Sequence, residues 1–335
     1  MASPIVPGEV LIPTIDIEPF LSDPTSIEAQ NVIDAVRQAC QKTGFFQIVG
    51  HGISEDVQQR LLAASRKFFA LKQEEKNKLD ATTKIGRRGY DVLGAETLDN
   101  RILPDLKEGF WIGPEVPLDD PKVKDGRLFM GPNVWPDENL LPREAFRDHA
   151  EEYYEAIRSL ALTMLKIVEQ TLPHGAGMFD GFTDDHAVAV LRLLHYPPMP
   201  HKDSLKGKKQ LGAGEHTDFG AITLLLQDEN SGLEVLDPDT KEFIPVDPAP
   251  NTFVFNVGDM LSLFTGGEYR SSIHRVINKA QKDRYSVAFF YNGEVDFPLI
   301  PLSQRGVADK GEDILTVEKH LLKRTADAYE KSHKD

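Results

Sequence analysis

The chain has 335 residues, 40% of them hydrophobic and 27% charged, enough apolar mass for one large domain or two fused ones. Its formal net charge of −15 argues against nucleic acid or an anionic membrane as a partner, since both need clustered positive charge. No apolar run reaches membrane-spanning length, the start Met1-Ala-Ser-Pro-Ile-Val-Pro7 does not read as a secretion signal, and Cys40 is the single cysteine, so a cytoplasmic protein is expected.

Taken in chain order, Ser26 to Thr43 reads as a helix with Ser26 as its cap and Ala29, Val32, Ile33 and Val36 at apolar helical spacing. Ser54 opens a second helix, with Glu55 and Asp56 in its first turn. Thr82 to Val123 is rich in Gly and Pro and is expected to be irregular. Phe146 to Leu172 carries the longest helical pattern, with Tyr153, Ile157, Leu160, Met164, Ile167 and Val168 on one face as core. From Ala187 to about Leu302 short apolar runs alternate with turns at Pro197, Gly232, Pro238, Pro248 and Gly266-Gly267, which suggests a sandwich or jelly roll. Lys202, Lys206, Lys208 and Lys209 form one basic cluster, expected at a solvated hairpin tip. Glu318 to Glu330 closes the chain as a helix, and no internal repeat is visible.

The strand-rich half holds the chemistry. His216-Thr217-Asp218 puts an imidazole and a carboxylate two positions apart, and on a strand they would project from one face. His274, in the alternating run Ser272 to Ile277, is the second imidazole that a neighbouring strand would present. Two imidazoles and one carboxylate on one face of an octahedron leave three adjacent positions open, which suits non-haem Fe(II) holding a co-substrate and dioxygen. His-x-Asp alone is common by chance; the third ligand candidate gives it weight. Arg284 and Ser286 share a face of the apolar strand-like run that continues through Tyr291. A guanidinium buried there needs either an anionic ligand, for which an Arg-hydroxyl pair is well shaped, or an internal carboxylate.

Gly214-Glu-His-Thr-Asp-Phe-Gly-Ala-Ile-Thr-Leu-Leu-Leu-Gln227, Asn256-Val-Gly-Asp-Met260, Tyr269-Arg-Ser-Ser-Ile-His-Arg-Val276 and Arg284-Tyr-Ser286 together resemble the Fe(II)/2-oxoglutarate-dependent dioxygenase superfamily. The likeness is to its isopenicillin N synthase-like branch, with plant flavonoid and gibberellin oxidases and fungal oxygenases of secondary metabolism. Ile12 to Ile17 and Gly44 to Gly52 look like that branch's opening strands. The resemblance implies an α+β fold: a double-stranded β-helix (jelly-roll) core with flanking helices, one long helix packed on the sheet. It implies an N-terminal region over 1–182, a catalytic core over 183–305 and a C-terminal helix over 306–335, in one compact unit.

By the same resemblance His216, Asp218 and His274 are the iron ligands, and Arg284 with Ser286 holds the far carboxylate of 2-oxoglutarate. Tyr196 falls on a tyrosine that many members point at the co-substrate. Where many plant members have an asparagine two positions earlier, this chain has Leu194, which puts co-substrate orientation in question. His195 alternates to the opposite face and reads as structural. The implied cofactors are Fe(II), 2-oxoglutarate and O2, with ascorbate as a candidate activator. The implied reaction releases succinate and CO2 while a small-molecule substrate is hydroxylated, desaturated or rearranged. Arg88, Lys107, Phe110, Phe219 and Phe264 are the candidate substrate contacts, with Trp111 beside them, and a hydrophobic or aromatic metabolite is the expected substrate. Two other readings stay open: an iron oxidase of the isopenicillin N synthase or ascorbate-using type that does without 2-oxoglutarate, and a non-catalytic ligand-binding jelly roll.

Overall fold

The computed structural model describes residues 12–329 apart from 100, 174, 185, 201–204, 206–207 and 305–313. Alternation and turn residues produce twelve strands among the described residues: β1 Thr14–Asp16, β2 Phe45–Val49, β3 Gly89–Asp91, β4 Glu108–Ile112, β5 Ala187–Tyr196, β6 Ala213–His216, β7 Ile222–Gln227, β8 Leu233–Leu236, β9 Phe243–Pro245, β10 Phe253–Val257, β11 His274–Val276 and β12 Arg284–Glu294. Eight form one sheet in the order β1-β2-β10-β7-β12-β5-β4-β3, and four form a second in the order β6-β11-β8-β9. The two sheets face each other as a jelly roll, and strands from the first half of the chain extend the larger sheet at both edges.

Eight helices are described, of which the second, third and sixth pack on the larger sheet and the last borders the cleft between the sheets. They are α1 Glu18–Ser22, α2 Ile27–Lys42, α3 Glu55–Phe69, α4 Gln73–Asn77, α5 Pro121–Lys124, α6 Arg147–Thr171, α7 Asp259–Phe264 and α8 Val317–Tyr329. Ser26 caps α2 by accepting from the Ala29 amide at 3.0 Å, and Ser54 caps α3 through the Val57 amide at 3.3 Å. The buried face of α6 packs on β12 and β7, where the Tyr154 ring meets Phe289 edge-on at 5.7 Å and its hydroxyl donates to the Ala189 carbonyl at 2.8 Å.

Period-two alternation on the central strands separates two apolar clusters. Val287, Phe289 and Tyr291 of β12 join the large helical cluster, whereas Ala288 joins a smaller one between the sheets with Phe45, Leu194, Tyr196 and Val276. The stretch expected to be irregular, 82–123, contains the buried strands β3 and β4, of which β4 pairs with β5 and β3 with β4. Their short length and interior Gly109 hid the alternation. Lys208 and Lys209 are exposed, while Lys202 and Lys206 lie outside the described residues.

Candidate active site

His216 is the last residue of β6, and the chain then turns through residues 217–221 before β7 begins. Asp218 sits in that turn, so it reaches His216 through a strand end and a bend, not through the strand pleat expected from spacing alone. β11 pairs antiparallel with β6 so that His274 stands directly opposite His216, with ring centroids 4.2 Å apart. Asp218 Oδ1 lies 3.8 Å from His216 Nε2 and 3.6 Å from His274 Nε2. One ligating atom from each of the three residues lies within 4.8 Å of the others.

The surroundings aim these atoms. His216 Nδ1 donates to the Gly214 carbonyl at 2.7 Å and His274 Nδ1 to the Ser272 carbonyl at 3.2 Å, which leaves the Nε2 lone pairs turned inward. Asp218 Oδ2 accepts from Thr223 Oγ1 at 2.6 Å and Asn256 Nδ2 at 2.7 Å, which reserves Oδ1 for the space between the imidazoles. The turn itself is held by the first residues of α7, where the Asp259 amide donates to the Asp218 carbonyl at 2.8 Å. Gly258 permits that approach, because a Cβ there would stand 2.2 Å from the Gly220 carbonyl oxygen. Burial, then His274, pushes His216 down to about 3, so the ring is neutral and able to ligate. Burial alone would raise Asp218, but the two neighbouring imidazoles and its two side-chain donors hold it below the ordinary carboxylate range.

Arg284 and Ser286 open β12, opposite Tyr196 and Leu194 of β5, and both are fully buried. Arg284 Nε donates to the Asn230 carbonyl at 3.1 Å, one terminal nitrogen donates to Gln227 at 2.8 Å, and the guanidinium lies 5.0 Å from the centre of the Tyr196 ring. Its other terminal nitrogen, Nη1, and the Ser286 hydroxyl are buried with no partner among the described residues. Nor does any carboxylate there reach Arg284 at ion-pair distance, which removes the internal pair as an account of this buried cation. Two orphaned donors beside each other fit the far end of a dicarboxylate, and the converging imidazoles and carboxylate fit Fe(II).

Triad and clamp line one cleft between the sheets, enclosing about 1100 Å³ when its opening to solvent is counted. Tyr196, Leu194, Lys107 and Phe219 also line it. Three expected substrate contacts do not. Phe110 points to the outer face, where it packs on Phe68 and Phe146; its strand neighbour Trp111 faces the cleft instead. Arg88 is wholly buried, donating to the Gly86 and Phe129 carbonyls, and Phe264 is enclosed by Phe179, Phe182 and Phe297. Lys107 and the adjacent Glu108 are both buried, Lys107 paired with Asp105 and Glu108 with Lys76. His195 lies away from the cleft, bonded to Glu108 and Asp283.

Cleft residues not singled out from sequence include Glu96, Phe129, Arg192, Phe290 and Asn292. For Phe290 and Asn292 a signal existed. The faces of β12 continue at every second residue from Arg284 through Ser286 and Ala288 to Asn292.

Residues 187–293 match the 2OG-Fe(II) oxygenase superfamily, and residues 12–138 match the N-terminal region described as non-haem dioxygenase in morphine synthesis. The chain is 51% identical over 318 residues to the 2-oxoglutarate-dependent dioxygenase citB of Monascus ruber, covering 95% of each chain. It is 44% identical over 327 residues to clavatol oxidase claD of Penicillium crustosum, covering 95% of this chain and 96% of that one. Among solved structures it resembles a full-length Neurospora crassa protein in complex with alpha-KG and thymine, with a TM-score of 0.78 and 29% identity over 94% of this chain and 96% of that one. The dioxygenase for auxin oxidation in rice aligns with a TM-score of 0.69 and 27% identity over 94% of this chain and 95% of that one. With half of its residues shared over nearly full length, the chain belongs to the 2OG-Fe(II) oxygenase superfamily and is a 2-oxoglutarate-dependent dioxygenase.

Proposed function

We propose that His216, Asp218 and His274 hold Fe(II) and that Arg284 and Ser286 hold the far carboxylate of 2-oxoglutarate, with the Tyr196 ring packed along that clamp. The buried, unpartnered Arg284 Nη1 and Ser286 Oγ, opening into the cleft that contains the triad, carry this reading. The chemistry that such an ion supplies when bound is reduction of O2 coupled to decarboxylation of 2-oxoglutarate to succinate and CO2, with oxidation of a substrate C–H bond. The chain's own part is placement. Thr223 and Asn256 fix which oxygen Asp218 turns to the metal, Gly214 and Ser272 fix the imidazole tautomers, and Arg284 orients the co-substrate. Leu194, where an amide would reach the co-substrate in many plant relatives, leaves that orientation to Arg284 and Ser286. Apolar walls from both sheets keep bulk water from the reacting atoms.

We assign the substrate to the hydrophobic or aromatic small molecules of secondary metabolism. The clavatol oxidase relative supports that class, as does the cleft wall built from Trp111, Phe129, Phe219 and Phe290. A ferrous enzyme is best served by a reducing compartment, and we place it in the cytoplasm. Asp218→Ala should retain the native melting curve while losing Fe(II) binding and 2-oxoglutarate-dependent succinate release. Arg284→Ala should raise the 2-oxoglutarate concentration needed for half-maximal release by roughly ten- to a hundred-fold, as expected for loss of a charge-assisted contact. Full succinate release from iron-stripped and reloaded Asp218→Ala would end the assignment.

A further inference from the structure

The cleft carries a second polar feature that the iron and clamp residues do not use. Glu96, Lys107 and Arg192 are 7%, 5% and 6% exposed and line its wall. Lys107 Nζ lies 2.8 Å from Glu96 Oε2, and Arg192 donates to the same oxygen at 3.0 Å. Lys107 also pairs with Asp105, and Arg192 with Asp91 at 2.7 Å. Among the described residues two cations are therefore set against three carboxylates, and both of these contacts of Glu96 fall on Oε2. Among the described residues no donor reaches Oε1 of this carboxylate, which Arg192 and Lys107 keep ionised against the cost of burial, so it is left as an acceptor on a residue that lines the cleft.

Beside it stands an aromatic slot. The Arg192 guanidinium covers the Trp111 ring at 4.4 Å, and that ring lies 5.8 Å from Phe129 and 6.2 Å from Phe290. Phe290 pairs across β12 and β7 with Thr223, the donor to Asp218, so the slot borders the metal triad. Charge then selects the occupant. An anion would meet Glu96 with its cations already matched, and an ammonium would meet Arg192 and Lys107 on one side and the metal on the other. A neutral donor meets neither penalty.

We propose that Glu96 sets specificity at the substrate end of the cleft, and that the substrate is a neutral, flat aromatic molecule whose phenol-type hydroxyl donates to Glu96 Oε1. This rests on the dioxygenase reading above. The test is anaerobic calorimetry on protein supplied with Fe(II) and 2-oxoglutarate, titrated with four probes of one shape: p-cresol, its methyl ether, p-toluate and p-methylbenzylamine. The heat of 2-oxoglutarate binding, measured first, reports on the dioxygenase reading by itself, and the probe series is repeated on protein without iron. The p-cresol should bind roughly ten-fold or more tightly than its methyl ether, the value of one hydrogen bond to a charged acceptor, and more tightly than either ion. Glu96→Gln, with a native melting curve, should shrink that preference several-fold. Equal affinity for the ether, tightest binding of p-toluate or p-methylbenzylamine, no heat from p-cresol, or an unchanged preference in a folded Glu96→Gln would overturn the proposal. The wild-type series decides the matter even where the variant fails to fold.

Discussion

Asn256 shows how much of the proposed iron site rests on a residue outside its three ligands. It sits on β10, is buried, and donates to the Asp218 oxygen that faces away from the imidazoles. Asn256→Ala should weaken Fe(II) affinity by roughly ten- to a hundred-fold, read by competition with a chelator, because Asp218 would be free to rotate. Affinity within two-fold of wild type would show that Thr223 suffices. His195, on the reverse face of β5, makes the opposite kind of prediction, about stability. Burial alone would lower its pKa, but hydrogen bonds to Glu108 and Asp283 raise it above 6.5. A raised folded value means that the imidazolium's contribution is complete below 6.5 and disappears as pH climbs through the folded value. Melting temperatures of wild type and His195→Gln should therefore converge on the alkaline side, and a constant gap across that range would refute the pairing.

Among the elements, the junction between α2 and β2 tolerates little change. Gly44 ends α2 in the left-handed region at φ 70°, and a Cβ there would sit 1.9 Å from the Arg270 carbonyl oxygen. Gly44→Ala should cost about 2 kcal/mol or more in urea titrations, since strain and clash act together, and a loss below about 0.5 kcal/mol would contradict this packing. The same scale explains what could be read from sequence. The helices α2, α3 and α6 were legible because caps and apolar spacing repeat over several turns. His216, Asp218, His274, Arg284 and Ser286 were legible because short motifs hold them.

The cleft wall was not legible in the same way. On a five-residue strand such as β4 the phase of alternation is undetermined, so Phe110 and Trp111 are both candidates in sequence, and only Trp111 lines the cleft. Arg88, expected in the cleft from its segment's resemblance to relatives, and Phe264, expected there from its place before Gly266-Gly267, are buried in the core instead, and no local pattern tells a wall residue from a core one. The Glu96–Arg192 pair joins positions 96 residues apart, and no local pattern announces such a contact.

At the scale of the molecule, β2 pairs with β10 and β4 pairs with β5, so strands from the first half of the chain close both sides of the larger sheet. We propose that the three regions expected from sequence fold as one unit. Residues 183–304 produced alone should then lack a cooperative melting transition, since exposed strand edges and the bared face under α6 would favour association. A sharp transition in that fragment would establish an autonomous core. Within the larger sheet, Arg284, Ser286, Ala288, Phe290 and Asn292 point the same way along β12, with a bulge between Tyr291 and Gly293 at the far end. One strand thus spans both the proposed co-substrate grip and the aromatic wall of the cleft. Exchanging side chains near its bulged tip would then reshape the proposed substrate wall while the proposed grip at Arg284 and Ser286 keeps its place on the same backbone.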